Sequence, residues 1–192
     1  MARASQPLPR SFRWLAALAL PWLLGACAHT SVALEPGPQV PVCSPAASAL
    51  VLWTPAWRSD QKDVASREAA AAQGLGHFFA QPGCFARTEL RRVADLTPQS
   101  IAAALASLPA GVTRVVGIEL RELGPVLKLL SSAALVEGGT EVVLRIAEYA
   151  PHSGAEARGF QVHWRNGGAG VVKGAASLPQ DMYAALRAGL KP

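Results

Sequence analysis

Histidines and cysteines are the side chains of this 192-residue sequence that most readily bind metals or act as nucleophiles. No histidine pair has the spacing of a helical zinc site, no serine lies in a Gly-x-Ser-x-Gly elbow, and the glycine-rich stretch 167–170 lacks a phosphate-loop lysine. Carboxylates in strands of mixed charge indicate a solvated face rather than an acid/base pair. We therefore predict no catalytic residue, no metal and no cofactor, and hence a protein that is not an enzyme. The side chains considered are His29, His77, His152, His163, Glu119, Glu122 and Glu141.

The N-terminus combines three arginines within residues 1–13 with an apolar run over residues 14–24. This layout is typical of a secretory signal peptide, and the run is too short for a comfortable membrane span. The following Leu24-Gly25-Ala26-Cys27 resembles the lipobox of bacterial lipoproteins. The resemblance implies that residues 1–26 are removed and that the Cys27 thiol carries the lipid (palmitate among the acyl chains). The alternative is a cysteine buried in an ordinary apolar helix.

The lipobox resemblance also implies a location. Lipoproteins of this kind carry three acyl chains, and more than one chain anchors a protein stably. In Gram-negative bacteria an aspartate after the lipidated cysteine commonly retains the protein in the inner membrane. Ala28 occupies that position here. The resemblance thus implies attachment to the outer membrane, facing the periplasm.

Removing residues 1–26 changes the composition of the chain. The remaining 166 residues suit one domain, and their 15 basic and 13 acidic residues give a net charge of +2 instead of +5. No basic cluster is interleaved with aromatic residues, so we expect no nucleic-acid partner. No later apolar run reaches the length of a membrane span.

Two cysteines remain, Cys43 and Cys84, and the oxidising periplasm favours a disulfide between them. Metal binding is the competing interpretation, but two cysteines without nearby histidines make a poor site. Each cysteine precedes a predicted strand, and the two strands flank one helix. Two parallel neighbours would bring both cysteines to the same end of a sheet. A loop of about 40 residues makes the bond worth roughly 4 kcal/mol.

Hydrophobic periodicity predicts the order of elements. A proline-rich tether over residues 27–46 precedes a domain over 47–192. Alternatively, the last few residues of the tether lie on the domain as an ordered edge. Glycine-rich segments 138–139 and 166–168 are expected to be turns, and Thr97 with Pro98 should begin a helix. The fold class is α/β, a single domain with a mixed sheet of two βα units followed by an antiparallel meander and a C-terminal helix. The expected strands are 48–53, 86–93, 113–123, 126–136, 140–149, 160–165 and a short one over 170–174. Two helices should start near residues 63 and 97, and a third should span about 179–188.

This order of elements resembles the periplasmic domain of three groups: the curli-secretion lipoproteins, the lipoprotein activators of penicillin-binding proteins, and the N-terminal domain of the Tol-system propeller protein. The similar segments are LVLW, LGHFF, Gly83-Cys84-Phe85, Val116-Gly117-Ile118 and TEVVLRIAEYAPHSG, within residues 47–166. The long hairpins with which the curli family forms a pore have no counterpart here. The small auxiliary lipoproteins of lipid-transporting ABC systems have a similar layout.

Two functions follow as hypotheses. The first is a protein-interaction or assembly module that is held at the membrane by its N-terminal lipid and binds an unidentified envelope protein. Its candidate contacts are aromatic and charged residues, which are enriched at contact sites. For Tyr149 and Trp164 the alternative is that they are ordinary core residues. The second is the auxiliary lipoprotein of a lipid transporter, with the apolar run Val126–Val136 lining a groove. The candidate contacts are Trp57, Glu119, Arg121, Tyr149 and Trp164.

Overall fold

The computed structural model describes residues 28–130 and 135–191. Cys27 and the predicted signal, residues 1–26, lie outside these ranges. Within these ranges, one mixed sheet of six strands has the order β1-β6-β5-β4-β2-β3, and three α-helices pack on it, which confirms the predicted fold class. The strands are β1 (His29–Glu35), β2 (Ser44–Pro55), β3 (Phe85–Arg92), β4 (Arg114–Leu130), β5 (Leu135–Tyr149) and β6 (Glu156–Ala169); the helices are α1 (Val64–Ala80), α2 (Pro98–Ala106) and α3 (Leu178–Leu190).

The two βα units form as predicted, because β2 pairs in parallel with both β3 and β4. Helix α1 connects β2 to β3, and α2 connects β3 to β4. Thr97 is the N-cap of α2, where its side chain accepts a hydrogen bond from the Ser100 amide, and proline follows it. Cys43 and Cys84, each directly before a strand of the parallel pair, form the predicted disulfide.

The two faces of the sheet are covered unequally. Helices α1 and α3 bury one face in a large apolar core, which we call the covered face. Helix α2 covers the opposite face only where β2 and the adjacent ends of β4 and β5 lie, through a small cluster that includes Leu50 and Ile101. The helices of the covered face pack closely, since a Cβ added at Gly74 would lie 2.7 Å from the Met182 Cβ. The rest of the second face is left without a helix among the described residues.

The segment expected to be a tether is ordered from residue 29, and its last residues lie on the domain as the alternative predicted. Residues 29–35 form β1, which pairs antiparallel with β6 from His29↔Gly167 to Glu35↔Gln161. The prolines that suggested a tether all follow Glu35, so nothing prevents the residues before them from completing the ladder. Val42 is buried, and its amide and that of Cys43 donate to the Leu190 carbonyl. The folded domain therefore begins at residue 29 and not at 47.

The meander contains three strands where four or five were expected. The predicted turns at 138–139 and 166–168 lie inside β5 and β6, where Gly138 pairs with Gly168 and Gly139 with Gly167. A Cβ on Gly139 would lie 2.7 Å from the Gly167 Cα, so glycine here permits close approach of two strands rather than a turn. Residues 170–174 are not a strand.

Helix α3 also runs past its predicted end near residue 188 and includes Gly189. A Cβ at this position would lie 2.6 Å from the Val162 Cγ2 on the covered face. Glycine is thus required by the contact between the helix and the sheet and does not end the helix.

Candidate interaction face

The part of the sheet that α2 leaves uncovered carries a field of charged and polar side chains. Side chains along a strand alternate between the two faces of the sheet. The core residues Val142, Leu144 and Val162 have even numbers and lie on the covered face, so residues of odd number on β5 and β6 lie on the other face. The register brings Glu119, Arg145 and Gln161 into one row across three strands. We call this surface the open face; its members are Glu119, Arg121, Glu141, Val143, Arg145, Gln161, His163 and Arg165.

Most charges of the open face are paired with a neighbouring group. Arg121 binds the Glu119 carboxylate at 2.6 Å and donates to Gln161 at 3.0 Å, so it connects β4 to β6 across β5. Gln161 in turn contacts the His163 ring. At the rim of the face, Arg145 binds Glu156 at 2.7 Å. Exposed pairs of this kind contribute about 0–1 kcal/mol each, so they orient side chains more than they stabilise the fold.

The hydrogen bond from Arg145 to Glu156 also raises the pKa of the Arg145 guanidinium. A second rim pair joins Arg165 to Glu137 at 2.8 Å. The open face therefore presents fixed charges of both signs over its width.

A shallow depression lies at the end of the open face where β2 stops. Its volume is about 360 Å³, and its lining carries both acidic and basic groups. Glu122 accepts from Arg67 at 3.2 Å and lies 3.5 Å from Arg58. Arg67 also donates to the Leu123 carbonyl, so it covers the β4 backbone beyond the end of β2. Most charges around the depression are thus already paired within the chain.

The predicted contact residues separate into three groups. Glu119 and Arg121 lie together on the open face. Trp57 packs at the margin of the covered face, and its Nε1 donates to Glu68 at 3.3 Å. Trp164 and Tyr149 are core residues with 4% and 6% of their surface exposed, so the alternative interpretation holds for both.

Trp164 and Tyr149 are buried by different parts of the structure. Trp164 belongs to the covered face, with the Lys173 ammonium 5.8 Å from its ring centre. Tyr149 occupies the space that Gly117 leaves free, since a Cβ there would lie 2.7 Å from the tyrosine ring. Gly117 is consequently buried beneath it.

Sequence reasoning missed Arg145, Gln161 and Arg165 as members of one surface. Within each strand these residues alternate with buried ones, which places them on its polar side. The register between strands brings them together, and no local signal in the sequence reports that register.

The described residues add little sign of other chemistry. Within residues 28–130 and 135–191, no group of three or more histidine, cysteine or acidic side chains is placed to hold a metal ion. His77 lies against the Tyr183 ring, with 4.9 Å between ring centres. Over the same ranges no helix is long and apolar enough to cross a membrane.

The run suggested as a lipid groove is only partly described. Val126–Leu130 and Leu135–Val136 are paired residues of β4 and β5, whereas 131–134 lie outside the described residues. Its part in a lipid groove stays a prediction.

No protein-family model and no curated protein matches the sequence. Distant similarity is found among solved structures. A PelC dodecamer from Paraburkholderia phytofirmans has 14% identity and a TM-score of 0.43, over 82% of this chain and 95% of that one. A putative neuraminyllactose-binding hemagglutinin homolog from Helicobacter pylori has 12% and 0.40, over 78% and 80%. Lipoprotein GNA1162 from Neisseria meningitidis has 15% and 0.35, over 74% and 96%. At TM-scores below 0.5 these similarities carry no functional argument.

Proposed function

We propose that this chain is a lipoprotein of the cell envelope, anchored in the outer membrane through Cys27, whose open face binds another envelope protein. The observation that carries the proposal is the uncovered half of the sheet, where fixed charges of both signs span three strands. These pairs hold the charges in defined positions, where a partner with a complementary pattern can contact them. The targeting half of the proposal is supported by the N-terminal sequence.

The open face suits a protein partner better than a small molecule. The depression where β2 stops is shallow and lies at the edge of the charged field. Its Glu122 is already paired with Arg58 and Arg67. Alternating charges across an interface favour the correct partner and reject wrong ones, because like charges brought together cost several kcal/mol. Arg121 and Arg165, on different strands, are the basic groups best placed to read an acidic pattern on that partner.

Site-specific photocrosslinking in intact cells tests the proposal. A photoreactive amino acid at Val143, in the middle of the open face, should give a specific protein adduct in the membrane fraction. The same residue at the exposed Arg87 of β3, outside this face, is the matched control. Identical adducts from both positions would contradict the proposal.

Charge reversal then tests the mechanism of recognition. Arg121→Glu with Arg165→Glu should weaken formation of the Val143 adduct about tenfold, as like charges oppose the partner's acidic groups. Arg87→Glu, a reversal outside the open face, should leave the adduct unchanged.

Incorporation of labelled palmitate, lost in Cys27→Ser, tests the anchor separately. An unlabelled wild-type protein would refute the anchor.

A further inference from the structure

Strands β4 and β5 reach beyond the rest of the sheet at the end where β1 begins. One row of paired residues crosses four strands at that end: His29, Gly167, Gly139 and Val126. Beyond this row β1 has no residue, and β6 continues only to Ala169. Residues 127–130 of β4 still pair with 135–138 of β5, and we call these eight residues the β4–β5 extension. Four further residues of strand add about 14 Å.

The predicted anchor lies at the same end of the sheet. Cys27 is two positions before His29, so its Cα lies at most about 7 Å from the row at which β1 begins. A lipid on Cys27 would therefore hold that row close to the membrane surface. The β4–β5 extension projects roughly twice as far as this connection permits the anchor to reach.

We propose that the β4–β5 extension lies in the headgroup region of the same membrane that receives the Cys27 lipid. This inference rests on the proposed lipid anchor. Five of the eight residues of the extension are leucine or valine, together with Lys128, Glu137 and Gly138. A segment of mostly apolar residues that includes a lysine suits the boundary between acyl chains and headgroups, to a depth of about 5–10 Å.

An exposed apolar side chain at the same end of the sheet supports this membrane contact. Val172 closely follows β6, in the segment that leads to α3, and 79% of its surface is exposed. Val40, which is 66% exposed, lies at the opposite end of the sheet, between the last residue of β1 and the first of β2. The two valines thus have similar exposure but opposite positions relative to the anchor.

The orientation has a consequence for the open face. If the β4–β5 extension enters the headgroups, the strands stand along the membrane normal. The open face then points sideways, parallel to the membrane plane, where neighbouring membrane-anchored proteins are found.

Depth-dependent fluorescence quenching tests the inference on the full-length lipidated protein. Variants Val172→Cys, Leu129→Cys and Val40→Cys are labelled with bimane after the disulfide has formed. They are then reconstituted into phosphatidylethanolamine–phosphatidylglycerol vesicles that contain a nitroxide lipid labelled near the headgroup. We expect quenching at residues 172 and 129 to be at least about twofold greater than at residue 40. Equal melting temperatures before reconstitution control for folding, and the exposed Val172 tolerates the change best.

The failure of this inference can be told apart from the failure of the proposed function. Labelled palmitate on Cys27, with quenching at residues 172 and 129 no greater than at residue 40, would overturn the membrane contact and leave the anchor standing. Absence of palmitate from Cys27 would overturn both. Adduct formation at Val143 tests the partner independently of either result.

Discussion

Val142 and Val143 are neighbours in β5, yet they belong to surfaces of opposite character. Val142 is buried under α1 and α3 among apolar side chains, whereas Val143 lies among the charged groups of the open face. The strand places them by its period of two, and the helices decide what each face must contain. The covered face supplies the stability of the domain. The open face is free to vary in charge, and is therefore the surface on which recognition can be built.

The largest expected effect comes from the disulfide, which closes a loop at the margin of the covered face. Replacing Cys43 and Cys84 together by serine should lower the free energy of unfolding by about 4 kcal/mol, since the unfolded chain regains the entropy of a loop of about 40 residues. Urea denaturation checks the value. A midpoint equal to that of the parent protein would show that the bond does not constrain the unfolded chain.

The two adjacent valines compare the faces directly. Val142→Ala should cost about 2 kcal/mol, because it removes buried methyl groups and leaves a cavity. Val143→Ala, the same change one residue later on the open face, should cost less than about 0.5 kcal/mol. Both are measured by urea denaturation. Equal losses would mean that the open face is packed as tightly as the covered one.

Two glycines of α1 should respond in opposite directions. Gly74→Ala is expected to destabilise by about 1–3 kcal/mol, since the added Cβ meets Met182 and the Pro179 carbonyl at 2.7 Å. Gly76→Ala meets nothing within 4 Å and should stabilise the helix by about 0.5–1 kcal/mol. Thermal melts of both variants decide the point. Stabilisation by Gly74→Ala would contradict the close contact between α1 and α3.

The smallest effect concerns Tyr149, at the edge of the area that α2 covers. Burial raises the pKa of its phenol above the usual value, and the nearby Arg145 lowers that pKa in part. The folded protein thus favours the neutral phenol. Its contribution to stability is complete below about pH 10 and falls as pH rises further, when the unfolded chain ionises first. The parent and Tyr149→Phe are titrated at alkaline pH, and the difference between their absorbances reports the ionisation of Tyr149. Its midpoint should lie above about pH 10. A midpoint at or below that value would contradict burial.

The local elements were predictable because their signals are local. Thr97 and Pro98 marked the start of α2, and alternating apolar residues marked the strands. The order strand-helix-strand placed Cys43 beside Cys84. Strand β1 was missed because its partner, β6, lies far later in the chain, with His29 opposite Gly167. Its own composition is compatible with either a strand or a tether.

The candidate site was predictable only in part, for a related reason. Alternation put Glu119 and Arg121 on the polar side of β4, which the structure confirms. Trp164 and Tyr149 are large enough to serve in a core or a contact, and residue type does not decide between the two. Their burial follows from α3 and from Gly117, which pack against them from distant positions in the sequence.

The pairing of β1 with β6 also has a mechanical consequence. With Cys27 held in a membrane, a partner that pulls the domain away from that membrane loads β1 along its own axis, from its first residue. Seven residue pairs join β1 to β6, and their hydrogen bonds run across the direction of pull, so they resist in shear and share the load together. A strand peeled from its other end would lose these pairs one at a time. Given the proposed anchor and partner, the N-terminal strand would transmit tension from one to the other.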